Sequence, residues 1–415
     1  MKQILSIVLS LILLFPSVAQ DRLNPKGRVR MLAVGDNIVH GAVYTDAKRN
    51  AAALVSTDGE HPAYSFDSMY AHVANAVAAA DVAILNQEGP VTSRPPSGYP
   101  RFNAPPQLAK ALAATGFDVV NLANNHALDQ SSGLAETLSI LHASGLASVG
   151  AYATREEKQT VRVVEANGVR TAFLAYTFFT NGLSAPKDAP WGVQLWEEAL
   201  VRSQMSEARE QADFTVVSVH WGEEGATDPN ESQRSAARLL AELGADVILG
   251  HHPHVLQPIE WLDRPDGGRT LVAYSLGNFL SAMLYPRYMV GGMLAFTLNK
   301  KEHTVKDVVF VPTVCHYERA VSAATDGKTL KTRSGLAVYP LSQYTEELAS
   351  RHGATLYADF TRDTLVGYVK EMVAEEFLAQ DDALGTHTGK QLPEETHIHQ
   401  GGLFTGIHKG DRAVD

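Results

Sequence analysis

The fold of this chain is first indicated by Ala245-Asp246-Val247-Ile248-Leu249-Gly250-His251-His252-Pro253-His254, a short apolar run that ends in a histidine cluster. Such a run predicts a buried strand whose C-terminal end carries imidazoles into a crevice, where parallel α/β sheets usually place their chemistry. Pro253 fixes its own backbone and biases His252 away from helical angles, so the side chains of His252 and His254 can converge. The stretch therefore predicts a metal site at a strand end.

Other apolar runs along the chain end in the same kind of residue. Asp36 follows Val29–Gly35, Glu88 follows Val82–Leu85, Asn125 and His126 follow Phe117–Leu122, and His220 follows Phe214–Val219. Helical spacing of apolar residues lies between these runs, over Tyr64–Ala80, Pro105–Thr115, Ser131–Ala143, Trp196–Ala212 and Glu231–Leu243. The alternation predicts βαβ units and a largely parallel sheet with flanking helices.

The second half of the chain adds signals of antiparallel pairing. The runs Val161–Glu165 and Arg170–Tyr176 flank Asn167-Gly168, which predicts a hairpin. Further β-like runs are Thr270–Tyr274, Gly291–Leu298 and Val305–Val311. We therefore predict an α/β fold with two sheets packed between helices, rather than one doubly wound sheet. We expect a main domain over 21–320 and a C-terminal extension over 321–415, in which Leu341–Arg351 and Thr361–Leu378 have helical spacing and precede a polar, mobile tail.

Composition limits the classes of function. The 415 residues carry a formal net charge of −11 with no basic stripe, which argues against a nucleic-acid or anionic-membrane binder. An anionic substrate would need local help from a metal or an arginine. Cys315 is the single cysteine, which excludes an intramolecular disulfide and a cysteine-rich zinc site.

The first residues have the pattern of an export signal. Lys2 precedes an apolar core from Ile4 to Phe15, and Pro16-Ser17-Val18-Ala19 supplies small residues for cleavage. We expect a signal peptide over 1–20 and a body in the periplasm or on the outer face of the cytoplasmic membrane. An uncleaved membrane anchor is the alternative.

The strand-end residues predict a divalent-metal centre. Each residue alone has another interpretation: Asp36 as a helix N-cap, Glu88 as a solvated turn residue, and His220 as a core histidine. Together they supply oxygen and nitrogen ligands without a thiolate, which favours hard or borderline cations. The predicted ligands are Asp36, Glu88, Asn125, His220, His252 and His254. The late histidines are expected to belong to a solvated tail: His387, His397, His399 and His408.

The same residues resemble a known family, the CapA family of poly-γ-glutamate capsule biosynthesis proteins, from about Arg28 to Val311. The motifs that carry the resemblance are Gly35-Asp36-Asn37-Ile38-Val39-His40, Asn86-Gln87-Glu88, Asn121-Leu122-Ala123-Asn124-Asn125-His126-Ala127-Leu128-Asp129, Val219-His220-Trp221-Gly222, Gly250-His251-His252-Pro253-His254 and Tyr274-Ser275-Leu276-Gly277-Asn278-Phe279. That family in turn is similar to the calcineurin-like metallophosphoesterases, which implies a four-layer α/β/β/α sandwich and one or two ions such as Mn, Fe or Zn.

The resemblance also implies roles for single residues. Asp36 and His254 correspond to ligands of a first metal, Glu88 to a bridging ligand, and His220 and His252 to ligands of a second metal. Asn125 corresponds to an asparagine that binds metal. His126 corresponds to a general acid. Ile38 stands where the superfamily usually has a histidine, and His40 is the candidate to replace it.

Several functions are compatible with these expectations. The family implies poly-γ-glutamate capsule biosynthesis or transport, with an anionic polymer and a membrane polymer-synthesis complex as partners. The alternatives are a metal-dependent hydrolase of phosphoester or amide bonds, a metal-dependent peptide epimerase, and a polymer-binding scaffold without turnover. Arg101, in the loop Tyr99-Pro100-Arg101-Phe102-Asn103, is the candidate to contact an anionic substrate, with a solvated surface arginine as the alternative.

Overall fold

A computed structural model describes residues 26–54, 62–187, 189–323 and 329–378. The predicted signal over 1–20 and the four late histidines lie outside these ranges. Within them, no helix is both long and apolar enough to cross a bilayer.

The regular elements of these ranges are numbered here in chain order. The strands are β1 (Arg28–Ile38), β2 (Val82–Glu88), β3 (Val119–Asn121), β4 (Ala147–Val149), β5 (Arg162–Ala166), β6 (Val169–Thr177), β7 (Phe214–His220), β8 (Val247–His251), β9 (Ile259–Asp263), β10 (Arg269–Ala273), β11 (Asn278–Leu280), β12 (Val290–Asn299), β13 (Thr304–Ala323) and β14 (Thr329–Pro340). The α-helices are α1 (Gly41–Ala53), α2 (Asp67–Tyr70), α3 (Ala74–Ala79), α4 (Gln107–Thr115), α5 (Leu134–Ala143), α6 (Arg155–Lys158), α7 (Glu198–Gln211), α8 (Glu231–Glu242), α9 (Glu346–Arg351) and α10 (Arg362–Met372).

The strands form two mixed sheets. The first has the order β14-β13-β12-β1-β2-β3-β4, with β11 paired to β1. Its strands β1 to β4 are parallel, whereas β12, β13 and β14 add antiparallel. The second sheet has the order β5-β6-β7-β8-β10-β9, with a parallel centre and an antiparallel strand at each edge. The predicted hairpin is confirmed, since β5 and β6 meet at Asn167 and Gly168, both with positive φ.

Alternation of side chains places the second sheet between two cores. Val217, Ile248 and Val272 belong to the core beneath α7 and α8. Their sequence neighbours Val247 and Leu271 face the other way and join the core shared with the first sheet. Because side chains alternate across a strand, one sheet can bury both faces in this way. The prediction of an α/β fold with two packed sheets and flanking helices is confirmed.

Some elements differ from the sequence-based prediction. Tyr64–Ala80 was expected to form one helix, but it forms the two short helices α2 and α3. The run Thr270–Tyr274 pairs antiparallel with β9, as expected, but it also pairs parallel to β8 in the second sheet. The chain then crosses to the first sheet, where the later runs pair antiparallel. Helix propensity and periodicity do not determine which sheet a strand joins; that depends on long-range pairing.

The C-terminal segment packs on the sandwich. The expected domain boundary at residue 320 falls inside β13, and β14 extends the first sheet beyond it. Phe360, Leu365, Val369 and Phe377 are buried in the larger core. The helical spacing of this segment therefore corresponds to a docked face in the structure.

Candidate metal centre

The predicted ligands lie where strand ends of both sheets meet. Asp36 and Glu88 lie at the C-terminal ends of β1 and β2, and His220 ends β7 in the other sheet. Close backbone contact makes this possible: a Cβ atom on Gly35 would lie 1.9 Å from the carbonyl oxygen of Gly277. Only glycine allows the two segments to approach so closely at this position.

Asp36 is the most highly connected residue of the site. Its Oδ1 lies 3.1 Å from Nδ1 of His251, and its Oδ2 lies 2.9 Å from Nδ1 of His254. The backbone N–H of His252 also donates to Oδ2, at 3.2 Å. Burial alone would raise the pKa of Asp36, but the hydrogen bonds from His251 and His254 outweigh it and hold the pKa well below its usual range. Asp36 is therefore a carboxylate, and it lies in a strand rather than at a helix N-cap.

A row of side-chain amides orients this carboxylate. Asp36, Asn86 and Asn121 lie side by side in register on β1, β2 and β3. Nδ2 of Asn86 donates to Asp36 Oδ1 at 2.8 Å, and Nδ2 of Asn121 donates to Asn86 Oδ1 at 3.0 Å. Each amide fixes the rotamer of the next, so the row holds the carboxylate in one orientation.

Glu88 is buried without the partners that a buried carboxylate needs. It is 1% exposed, and neither of its side-chain oxygens has a hydrogen-bond partner among the described residues. Its Oε1 lies 3.6 Å from Nε2 of His254 and 3.9 Å from Nε2 of His220. Burial raises the pKa of Glu88 well above its usual range. Because an unsatisfied buried carboxyl is costly, these oxygens fit the ligand atoms of a cation.

Two groups of potential ligand atoms share Glu88. One combines it with Asp36 and His254, and the other with His220 and His252. In each group the ligand atoms lie within 4.8 Å of one another. Asn125 adjoins the second group, since its Oδ1 lies 3.0 Å from Nε2 of His220. The structure thus brings together all six residues that the sequence predicts as ligands.

The histidines differ in their proton affinity. Burial lowers the pKa of His220 well below its ordinary value and that of His252 to about 3, so both are neutral and ready to act as ligands. Burial would also lower the pKa of His254, but the charges of Glu88 and Asp36 outweigh it and raise the value to about 9. The Glu88–His254 pair therefore retains a proton at neutral pH, and a bound cation would displace this proton.

The backbone of the histidine segment is strained. His252 has φ of 95° and His254 has φ of 58°, in the left-handed half of conformational space. Non-glycine residues adopt such angles uncommonly and at a cost in free energy. These backbone angles around Pro253 set the direction in which the two imidazoles project.

His126 forms a separate pair beside these groups. Its Nδ1 lies 2.7 Å from Oδ2 of Asp129, and its Nε2 lies 3.4 Å from Nδ2 of Asn181. Because the carboxylate accepts from Nδ1, the Nε2 atom is the one available for proton exchange. The ring of Phe102 packs edge-on against His126, with 4.6 Å between centroids.

The remaining predicted residues, His40 and Arg101, lie outside the groups of potential ligands. His40 is the N-cap residue of α1; its Nδ1 accepts a hydrogen bond from the N–H of Ala282 at 3.3 Å. Burial lowers the pKa of His40 to about 3, so it is neutral. Arg101 is exposed on a loop, where its carbonyl oxygen accepts from Oγ of Ser97 at 2.6 Å.

Sequence reasoning missed several residues of the site. His251 and Asn86 contact Asp36, Asp129 orients His126, and Glu224 forms a third group of potential ligands with His252 and His254. His251 and Asn86 were visible as polar residues at strand ends, and Asp129 as a carboxylate three positions after His126. Glu224 lies in an exposed loop and carries no such signal.

Comparisons with known proteins point in one direction. Residues 30–283 match the family model described as bacterial capsule synthesis protein PGA_cap. The chain is 35% identical over 243 residues to the PGA biosynthesis protein CapA of Bacillus subtilis, covering 56% of this chain and 62% of that protein. It is 31% identical over 258 residues to the capsule biosynthesis protein CapA of Bacillus anthracis, covering 59% and 61% respectively.

The matched part spans less than two thirds of the length of either capsule protein. Among solved structures, a novel phosphatase from Mycoplasma pneumoniae has a TM-score of 0.43 and 14% identity, covering 70% of this chain and 94% of that one. This likeness is too distant to bear on the chemistry of the chain.

Proposed function

Since this chain belongs to the bacterial capsule synthesis protein family PGA_cap, we propose that it acts in the biosynthesis or transport of a poly-γ-glutamate capsule. In this proposal the protein is exported and works in the cell envelope, on an anionic polymer and beside a membrane polymer-synthesis complex. A divalent-metal centre at the meeting point of the two sheets is its working site.

The unsatisfied carboxyl of Glu88 is the observation that carries the metal proposal. It belongs both to the group with Asp36 and His254 and to the group with His220 and His252. A single carboxylate between two groups of ligands is the arrangement expected of a bridging residue in a two-ion site. The proposed ligands are Asp36, Glu88, Asn125, His220, His252 and His254, and the set of O and N donors suits Mn, Fe or Zn.

The residues around this site support acid–base chemistry. When bound, a divalent ion would act as a Lewis acid that polarises a carbonyl or phosphoryl oxygen. Asp129 favours the tautomer of His126 that carries its proton on Nδ1, which leaves Nε2 to take a proton from a nucleophile and to give one to a leaving group. Nδ2 of Asn181 lies 3.4 Å from the same nitrogen.

This His126–Asp129 pair favours a second candidate function, metal-dependent hydrolysis of an amide or phosphoester bond. His40 is a further proposed catalytic group, since it is neutral and its ring packs edge-on against Phe102, which in turn contacts His126. Arg101 remains the proposed exposed contact for an anionic substrate.

Turnover assays of the full chain, loaded in turn with Mn, Fe and Zn, test the proposal. We expect the protein to shorten or modify poly-γ-glutamate, which chain-length analysis measures. The His126→Ala variant should lose this activity. If the protein cleaves only phosphoesters, its substrate is a phosphorylated compound and not the polymer. Binding of the polymer without turnover would identify a scaffold. The absence of both binding and turnover would show that the polymer is not the partner.

A further inference from the structure

Two arginines, one on β13 and one on β14, lie directly opposite each other in the first sheet. Arg319 on β13 pairs in register with Arg333 on β14, so their side chains project from the same face. Both residues are partly buried. They lie beyond residue 283, where the match to the family model ends.

Aromatic rings hold both guanidinium groups in place. The guanidinium of Arg333 lies 5.1 Å from the centre of the Tyr317 ring, and that of Arg319 lies 5.8 Å from the centre of the Tyr357 ring. Tyr357 packs against Tyr285, which is 55% exposed. Stacking on rings orients an arginine while its hydrogen-bond donors stay available.

Neither arginine is neutralised by an acidic side chain within the described ranges. Glu318, the carboxylate next to Arg319 in sequence, is paired with Arg351 at 3.1 Å. Like charges directly opposite each other in a sheet are destabilising. A bound carboxylate would remove this repulsion, and a protein with a net charge of −11 needs such a local positive site to hold a polyanion.

A short backbone segment connects this pair to the metal crevice. Nη1 of Arg333 donates a hydrogen bond to the carbonyl oxygen of Ala282, whose N–H donates to Nδ1 of His40. The hydroxyl of Tyr317 donates to the carbonyl oxygen of the next residue, Met283, at 2.9 Å. The single residue Ala282 thus links Arg333 to His40, whose ring packs on Phe102 beside His126.

We propose that Arg319 and Arg333 form a carboxylate-binding subsite that holds an extended polycarboxylate chain beside the metal crevice. This inference rests on the proposed function, because it takes the polymer from there. The fork of each guanidinium can hold one carboxylate by two parallel hydrogen bonds. An anchored neighbouring unit would position the reacting unit of the chain over the metal ligands.

Binding measurements with the full-length, metal-loaded protein test this subsite. The probes are γ-linked glutamate oligomers, α-linked glutamate oligomers of equal length, and uncharged γ-linked isoglutamine oligomers, in which each α-carboxylate is an amide; each is titrated calorimetrically at low and high salt. The variants are Arg319→Gln, Arg333→Gln and the double variant. We expect each single change to weaken binding of the charged γ-linked oligomer by roughly tenfold, as the loss of one charge-assisted pair would. The wild-type affinity should fall with salt.

Arg269→Gln is the matched control. Arg269 also lies over an aromatic ring, 4.6 Å from the centre of Trp261, but at the start of β10, the strand end opposite to the crevice. Its loss should leave binding unchanged. Arg319→Gln removes no hydrogen bond to Ala282, so it keeps the test valid if Arg333→Gln fails to fold.

The possible outcomes bear differently on the subsite and on the proposed function. Undiminished binding of the γ-linked oligomer by the folded double variant would overturn the subsite and leave the proposed function intact. Binding of only the α-linked oligomer, weakened in the variants, would support a polycarboxylate subsite and count against poly-γ-glutamate as the substrate. Failure of the wild-type protein to bind either charged oligomer would overturn both.

Discussion

Asp36 accepts a hydrogen bond from Nδ1 of His254 at 2.9 Å, although the two residues are separated by 218 positions in sequence. The bond joins the end of β1 in the first sheet to the loop after β8 in the second. Because Asp36 also contacts His251 of β8, the carboxylate connects the two sheets at the crevice. The position of the predicted ligands therefore depends on the packing of the whole sandwich.

Replacing both His252 and His254 by alanine should remove the divalent metal from the purified protein, because each proposed group loses an imidazole. Elemental analysis after gentle purification measures the metal content. The control is His142→Ala, which removes an exposed histidine bonded to Ser148 at 3.0 Å. An unchanged metal content in the double variant would show that the ligands lie elsewhere.

The His126→Ala variant should lose about 10²–10⁴-fold in turnover while retaining most of its metal, because an acid–base group contributes to rate without holding the ion. Steady-state rates and metal content are measured on the same preparation. Asp129→Asn, which weakens the hydrogen bond to Nδ1, should reduce the rate less. Full turnover without His126 would make it structural, and loss of all metal would make it a ligand.

Metal affinity should increase with pH up to about pH 9. The pKa of His254 is raised to about 9, so at neutral pH the imidazole must lose a proton before it can bind an ion. We expect roughly a tenfold gain in affinity per pH unit and the release of about one proton per ion. Calorimetric titration with Mn²⁺ in buffers of different ionisation enthalpy measures both quantities. An affinity that stays constant from pH 7 to 8.5 would contradict this role of His254.

Acid should destabilise the protein through His352. Burial lowers the pKa of this histidine from 6.5 to about 3, although its Nε2 bonds to the carbonyl oxygen of Cys315 at 3.0 Å. The unfolded chain therefore takes up a proton first as the pH falls, and stability present above pH 6.5 is lost progressively towards pH 3. At pH 5 the contribution of His352 alone lowers the free energy of unfolding by about 2 kcal/mol.

Urea unfolding at pH 7.5 and pH 5 measures this loss of stability. His352→Gln keeps a donor for Cys315 but does not titrate, so its stability should fall by about 2 kcal/mol less than that of the wild type between these pH values. Equal losses in the two proteins would assign the acid sensitivity to other groups.

A truncation after Gln380 should keep both the fold and the metal, because the residues beyond it lack apolar periodicity. A truncation after Pro340 should destabilise the protein, since it removes the buried side chains of Phe360, Leu365 and Val369. Each contributes about 1.5–3 kcal/mol by burial. Thermal unfolding and metal analysis compare the two products. Aggregation or loss of metal in the longer product would show that the late histidines pack on the body.

The amino-acid sequence by itself determined the strand ends and the residue types they carry. An apolar run of β-branched residues reports burial locally, and a ligand-type residue at its end is visible without knowledge of its partners. The places of Asp36, Glu88, Asn125, His220, His252 and His254 at or just after strand ends were therefore predictable, and their role as metal ligands stays a prediction. The hairpin at Asn167-Gly168 was also predictable from a local signal, because its turn requires positive φ at two adjacent residues.

Only the tertiary structure decided how these residues face one another. The bond of Asp36 to His254, the sharing of Glu88 by two groups, and the register of Arg319 with Arg333 depend on strand pairing between distant segments. A shift of one residue in register would turn each side chain to the other face of its sheet. Such pairing is set by the summed packing of the whole core, which no local pattern in the sequence contains.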